Sequence, residues 1–296
     1  MNQSDTVPST LPTETKAQRF SWQIMAWFAT CIAICYAPVI VDLVQQWMTD
    51  DDLAHAPFAP FVAAYIVWHK RDELKSIPAT CSNWGLSAVV FAAILTLVGT
   101  MLESKFLPRS ALLLSVMGLV LYLRGVNTVR KVGFALLMLL FMIPLPWYFY
   151  KQLTFQLQLL ASRMAEGSLD LLGYTVLREG NIIELVGRKL SVVEACSGIR
   201  SLYSLLFLTL TYSYFMEPKN WMRLLLILWT LLAAILANTA RIVASATVGS
   251  LNPELAEGIY HAVTGWTITL VSFAFVIIFH RFVRSIYRSM RPRHAH

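Results

Sequence analysis

The chain has 296 residues, 57% hydrophobic and only 14% charged, with a formal net charge of +7. A soluble domain averages about 45–50% apolar and about 25% charged residues, so this composition and a mean hydropathy of +0.59 argue against a soluble globular protein. The basic balance does not point to nucleic acid either, because the cations fall in short loops and at the C-terminus, where membrane topology explains them.

In chain order, residues 1–20 are polar and rich in Ser, Thr and Pro, the composition of a disordered tail. The run after them is long enough to span, and no small-residue cleavage site follows it, so an uncleaved first helix is expected. Eight apolar runs read as membrane spans, near 22–44, 57–69, 85–102, 110–123, 132–147, 198–214, 221–241 and 264–282. Alternating sides collects most of the Lys and Arg on one face, including Lys70, Arg71, Arg124, Arg130, Lys131, Lys219 and the C-terminal Arg281, Arg284, Arg288, Arg291 and Arg293. The positive-inside rule then places both termini inside. The acidic run Asp50-Asp51-Asp52 falls outside, as does His55.

The longest outside segment is 148–195. Residues 151–172 carry Leu153, Leu157, Leu160, Met164 and Leu171 at helical spacing, interrupted by Gln152, Gln156, Gln158 and Arg163. They read as a helix lying in the interface. Residues 174–193 alternate and carry turn residues at Glu179-Gly180-Asn181 and Gly187-Arg188, the pattern of a small β-hairpin structure above the membrane. The expected fold is therefore an all-α polytopic membrane protein of about eight spans, with an interfacial helix and a β-hairpin segment on the outer face. A basic tail occupies 284–296.

Four cysteines, at 31, 35, 81 and 196, are too few for a disulfide framework. Cys31 and Cys35 lie one turn apart in an apolar run and read as core packing. Cys196 stands apart, in Ala195-Cys196-Ser197-Gly198-Ile199-Arg200-Ser201, where the polar segment ends and the sixth span begins. A helix start favours a thiolate. Arg200, one turn on, adds positive charge. Ser197 is a weaker nucleophile candidate, because no G-x-S-x-G frame surrounds it. Arg241 ends the seventh span, with Asn238 three residues before it on the same face. There it is either a boundary marker or a guanidinium that stabilises an oxyanion or carboxylate. His261 opens the eighth span and is either an interfacial histidine or an acid/base. No H-E-x-x-H motif, clustered Cys/His pattern or P-loop is present, so neither a metal, a cofactor nor an energised pump is expected. His280, His294 and His296 fall on the inside, away from these residues.

The three blocks Ala195-Cys196-Ser197-Gly198-Ile199-Arg200-Ser201, Asn238-Thr239-Ala240-Arg241-Ile242 and His261 with Gly265-Trp266 resemble those of the exosortase/archaeosortase family of membrane transpeptidase-like enzymes. The resemblance runs from about 40 to 285, so 21–283 reads as one exosortase-like transmembrane domain. It implies Cys196 as nucleophile, His261 as acid/base and Arg241 as stabiliser of the tetrahedral intermediate. It further implies exported protein substrates with a C-terminal sorting signal (a Pro-Glu-Pro-like motif, a transmembrane helix and a basic cluster), and a link to exopolysaccharide and biofilm production. The location implied is the bacterial inner membrane, with the site facing the periplasm, membrane lipids as neighbours and no nucleic acid partner. An early family block resembles Trp47–Pro60, although Leu53-Ala54-His55-Ala56 departs from its Tyr-Ser-His-Gly pattern, which leaves the role of His55 open. Two other classes compete: a non-catalytic membrane subunit of a polysaccharide export system, and an acyltransferase centred on histidine without need for the thiol.

Overall fold

The computed structural model describes residues 16–185, 188–191, 198–251 and 259–290. In chain order its helices are α1 (Lys16–Cys35), α2 (Ala37–Thr49), α3 (Phe58–His69), α4 (Arg71–Ser76), α5 (Asn83–Met101), α6 (Phe106–Arg124), α7 (Val126–Leu140), α8 (Trp147–Leu171), α9 (Ile199–Met216), α10 (Asn220–Leu251) and α11 (Ile259–Met290). Among the described residues, α5, α6, α10 and α11 are long and apolar enough to cross a membrane. The pair α1 and α2, bent by 71° at Tyr36, makes a fifth. The protein is thus helical and multi-pass. Pro38 accounts for the bend: it lacks the N–H that would bond the Ile34 carbonyl, and its ring crowds that turn. The remaining three expected spans coincide with α3, α7 and α9, which have 12, 15 and 18 residues. The first two are shorter than the ~20 residues a single crossing needs.

Two compact units divide the described chain. The first comprises residues up to Val44 together with Ala64–Leu137, and is built on the α5–α6 hairpin. These helices approach so closely that a Cβ on Gly85 would sit 2.2 Å from the Tyr122 backbone nitrogen. Small residues at such positions let dispersion contacts form along the whole backbone, the main attraction available between helices in lipid. Several polar groups inside this unit are paired. The Tyr36 hydroxyl lies 3.0 Å from both Thr96 and Ser115, and Asp42 accepts from Lys105 at 2.8 Å and from buried Arg109 at 2.6 Å. Cys31 is half-buried and Cys35 exposed, which corrects the expectation of core packing: neither thiol is a core residue.

The second unit comprises Gln45–Ala63 and the chain from Met138 onward. Its centre is α10, which packs against α8, α9 and α11. Leu205 of α9 meets Ala233 and Ala234 of α10, with Phe273 of α11 closing over them. Pro144 and Pro146 end the helical path of α7 and set up the start of α8. The β segment is an antiparallel sheet of three strands rather than a single hairpin: β1 (Val176–Glu179), β2 (Ile182–Leu185) and β3 (Arg188–Ser191), in the order β1-β2-β3. Its Ile183 is fully buried against Ala165 and Leu169 of α8 and Ile242 and Ala246 of α10.

Three boundaries differ from expectation. Helix α10 does not end at Arg241 but continues to Leu251, because the sheet and α8 offer an apolar surface for Ile242 and Ala246. The basic segment expected as a tail from 284 is helical through Met290, and α1 already begins at Lys16. Helix α8 exists as expected. Its buried face is Thr154, Gln158, Ala161, Ser162, Ala165 and Leu169, while Leu153, Leu160 and Leu171 are exposed. Where lipid is the surroundings, leucines gain nothing by turning inward and small residues pack best against neighbouring helices.

Candidate functional site

Gly198, the residue before α9, has φ +79° and is buried. A left-handed conformation costs an ordinary residue roughly 1–2 kcal/mol, and here space excludes a side chain as well. A Cβ would lie 2.8 Å from Cγ of Asn238. The start of α9 is therefore pressed against the middle of α10 at the first residue of the block Asn238-Thr239-Ala240-Arg241. Arg241 lies one turn further along the same helix and is buried, with 3% of its surface exposed. Of the two readings its sequence position left open, the burial favours a cation held inside the protein over a snorkelling boundary marker. Thr239 flanks it, donating to the Ile235 carbonyl and touching Met164 of α8.

Beside Gly198 lies a shallow open cleft between α8, α9 and α10, with a volume of only about 20 Å³. Leu157 and Leu160 line one side, Leu202 and Ile235 the other, and Gly198 and Asn238 lie together in its wall. Its lining is apolar apart from Asn238.

Arg200 does not stand alone. Its Nε donates to Asp52 at 2.9 Å and its Nη1 lies 3.4 Å from Asp51. Its charge is thus already met by carboxylates, which corrects the picture of a bare cation tuning the thiol. The other oxygen of Asp52 accepts from the Tyr150 hydroxyl in the first turn of α8. The carboxylates belong to a 3-10 turn, Asp51–Leu53, capped by Asp50, whose Oδ1 accepts from the Asp52 backbone N–H at 3.0 Å. The run of three acids was visible in the sequence, but its partner was not, because Arg200 lies 148 residues from Asp52.

One turn along α9 the same loop supplies His55. It is 6% exposed, stacked on Tyr203 and within 3.5 Å of the Ser204 hydroxyl through Nδ1. Burial pushes its imidazole down to about 4, opposed by a hydrogen bond to the Phe141 backbone. At neutral pH it is an uncharged ring in the wall behind the start of α9, a neighbour of the site. His280, expected to lie away from this site, sits at the opposite end of α9, 3.1 Å from Glu217.

Two expected residues need separate statement. Cys196 lies outside the described residues, and so does Ser197. His261 falls within the first turn of α11, but its side chain is not among those described. The structure therefore brings together the edge of the first block, at Gly198, and the second block, at Asn238, and leaves the third unpositioned relative to them. Among the described residues, no three His, Cys, Asp or Glu side chains gather as a metal site would require.

No curated protein and no solved structure matches the chain. A family model described as transmembrane exosortase does, over residues 47–278. That stretch takes in the acidic turn, His55, the cleft and all three blocks, and most of the chain. The protein belongs to the transmembrane exosortase family.

Proposed function

We propose that this protein is a membrane-embedded cysteine protease/transpeptidase that cleaves C-terminal sorting signals of exported proteins, with Cys196, Arg241 and His261 as its catalytic residues. The chain crosses the bacterial inner membrane eight times with both termini inside, and its site faces the periplasm. The substrate's own transmembrane helix lies among membrane lipids, with its Pro-Glu-Pro-like motif at the outer surface. Nucleic acid has no part in the activity, which belongs with exopolysaccharide and biofilm production.

The observation that carries this reading is the contact of Gly198 with Asn238. It joins the chain two residues after the cysteine to the helix that holds a buried arginine, beside an open apolar cleft. Arg241 is a buried cation on the helix that Gly198 abuts, and an arginine beside a developing oxyanion stabilises it. In the proposed reaction the Cys196 thiolate attacks the scissile carbonyl carbon, and Arg241 stabilises the oxyanion. As the C–N bond breaks, His261, having taken the thiol proton, gives it to the leaving amine. The thioester then passes to an incoming amine, on a lipid or glycan, or to water, and the thiol is regenerated.

The test is a gel-shift assay of a sorting-signal substrate co-expressed with wild type or Cys196→Ala. Loss of processing, with substrate accumulating in the membrane, is the expected result. Normal processing by Cys196→Ala at equal expression overturns the mechanism.

A further inference from the structure

We propose that Asp52 is a positioning residue for this site, acting through Arg200 to fix the first turn of α9 and hence the point from which the Cys196 block departs. The inference rests on the cysteine mechanism above, but its observations are independent of it. One carboxylate does two jobs: Oδ1 takes the Arg200 guanidinium of α9 at 2.9 Å, and Oδ2 takes the Tyr150 hydroxyl of α8. Helices α8 and α9 are two walls of the cleft beside Gly198. The carboxylate thereby ties together the two walls at their first turns. A capped 3-10 turn, with Asp50 holding the Asp52 N–H, fixes the carboxylate in its turn. The neighbouring Trp47 indole donates to the Met142 carbonyl at 2.9 Å, anchoring the chain that leads into it.

Asp51 supplies an internal control. It also approaches Arg200, at 3.4 Å, but its side chain is 82% exposed against 20% for Asp52. An exposed ion pair contributes little, whereas a partly buried, charge-assisted hydrogen bond holds geometry. Two adjacent aspartates facing one arginine thus have different roles. Asp52 sets the site, and Asp51 is solvated beside it.

The experiment uses the full chain in its membrane, with Cys31, Cys35 and Cys81 changed to Ser. Asp51→Asn, Asp52→Asn, Asp52→Glu and Cys196→Ala are compared for the processing rate of a sorting-signal substrate. The three aspartate variants are compared with the parent for the pH profile of Cys196 alkylation by iodoacetamide. Misplacing a reacting group by an ångström costs up to about 100-fold. Asp52→Asn is therefore expected to slow processing roughly 10- to 100-fold at unchanged protein level, and to displace the alkylation profile. Asp51→Asn is expected to leave both unchanged, and Asp52→Glu, which keeps the charge, to recover most of the rate. Equal behaviour of Asp51→Asn and Asp52→Asn, or an alkylation profile indifferent to Asp52, overturns the proposal. Normal processing by Cys196→Ala would instead sink the cysteine mechanism, while the alkylation profile still reads whether Asp52 is coupled to the environment of Cys196.

Discussion

Helix α9 carries a polar cluster at each end, and the two are built differently. At its C-terminal end Glu217 and His280 are 3.1 Å apart, both side chains 2% exposed. Tyr212 meets the other ring nitrogen at 2.9 Å, and the Lys219 backbone N–H donates to the second Glu217 oxygen at 3.0 Å. Arg223 holds the Glu217 carbonyl at 2.7 Å. At its N-terminal end Arg200 and Asp52 remain partly exposed, at 35% and 20%, and stand beside an open cleft. The sealed cluster must satisfy its groups, because a buried polar group left without a partner has lost water and gained nothing. The open cluster is under no such compulsion, so its geometry is available for function. One end of the helix holds the fold and the other orients the site.

The largest effect expected from this contrast is at the sealed end. Glu217→Ala removes the acceptor of both the His280 ring and the Lys219 backbone N–H, and each buried group left without its partner costs about 1–3 kcal/mol. Melting temperature and membrane level should fall sharply, while processing per folded molecule holds. A variant with normal stability would show that the two ends are not different in kind.

Next comes His55. With the folded imidazole held near 4 and an unfolded value near 6.5, the unfolded state binds the extra proton between those limits. Stability is therefore complete above about pH 6.5 and declines as pH falls toward about 4, by on the order of 3 kcal/mol in all. Thermal melts across that window should show the slope, and His55→Phe should flatten it.

Gly198→Ala sharpens the comparison at the N-terminal end. Left-handed backbone costs roughly 1–2 kcal/mol with a side chain, and the added Cβ collides with Asn238. Processing should drop more than stability does. Adding Asn238→Ala relieves the collision but not the backbone cost, so the double variant should recover part of the stability, as a double-mutant cycle would measure.

The smallest stability change belongs to Asp52→Asn, about 0–1 kcal/mol as for other partly exposed pairs. Its melting curve should nearly overlay the wild type while processing falls. A large loss of stability would place this cluster with the sealed one.

Reading the sequence found the helices with the longest apolar runs, because burial in lipid is written into composition and needs no partner. It also found the β segment, where alternating residues are punctuated by the turn at Gly180, though as a hairpin rather than a sheet of three strands. For α8 the leucine spacing identified a helix but did not say which side would pack against the protein. The sequence left Arg241 open between a boundary cation and a guanidinium in a site, since a charge at the end of an apolar run looks the same whether it snorkels or is buried by a sheet folded over the next two turns. Composition and periodicity alone determined a multi-pass helical membrane protein, and three short blocks pointed to its family. Only the tertiary structure decided that Gly198 abuts Asn238, that Arg241 is interior, and that Asp52 answers Arg200 across 148 residues of chain. The physical reason is range. Lipid solubility and helix periodicity act within a segment, whereas pairing a charge or closing a cleft depends on which segments meet.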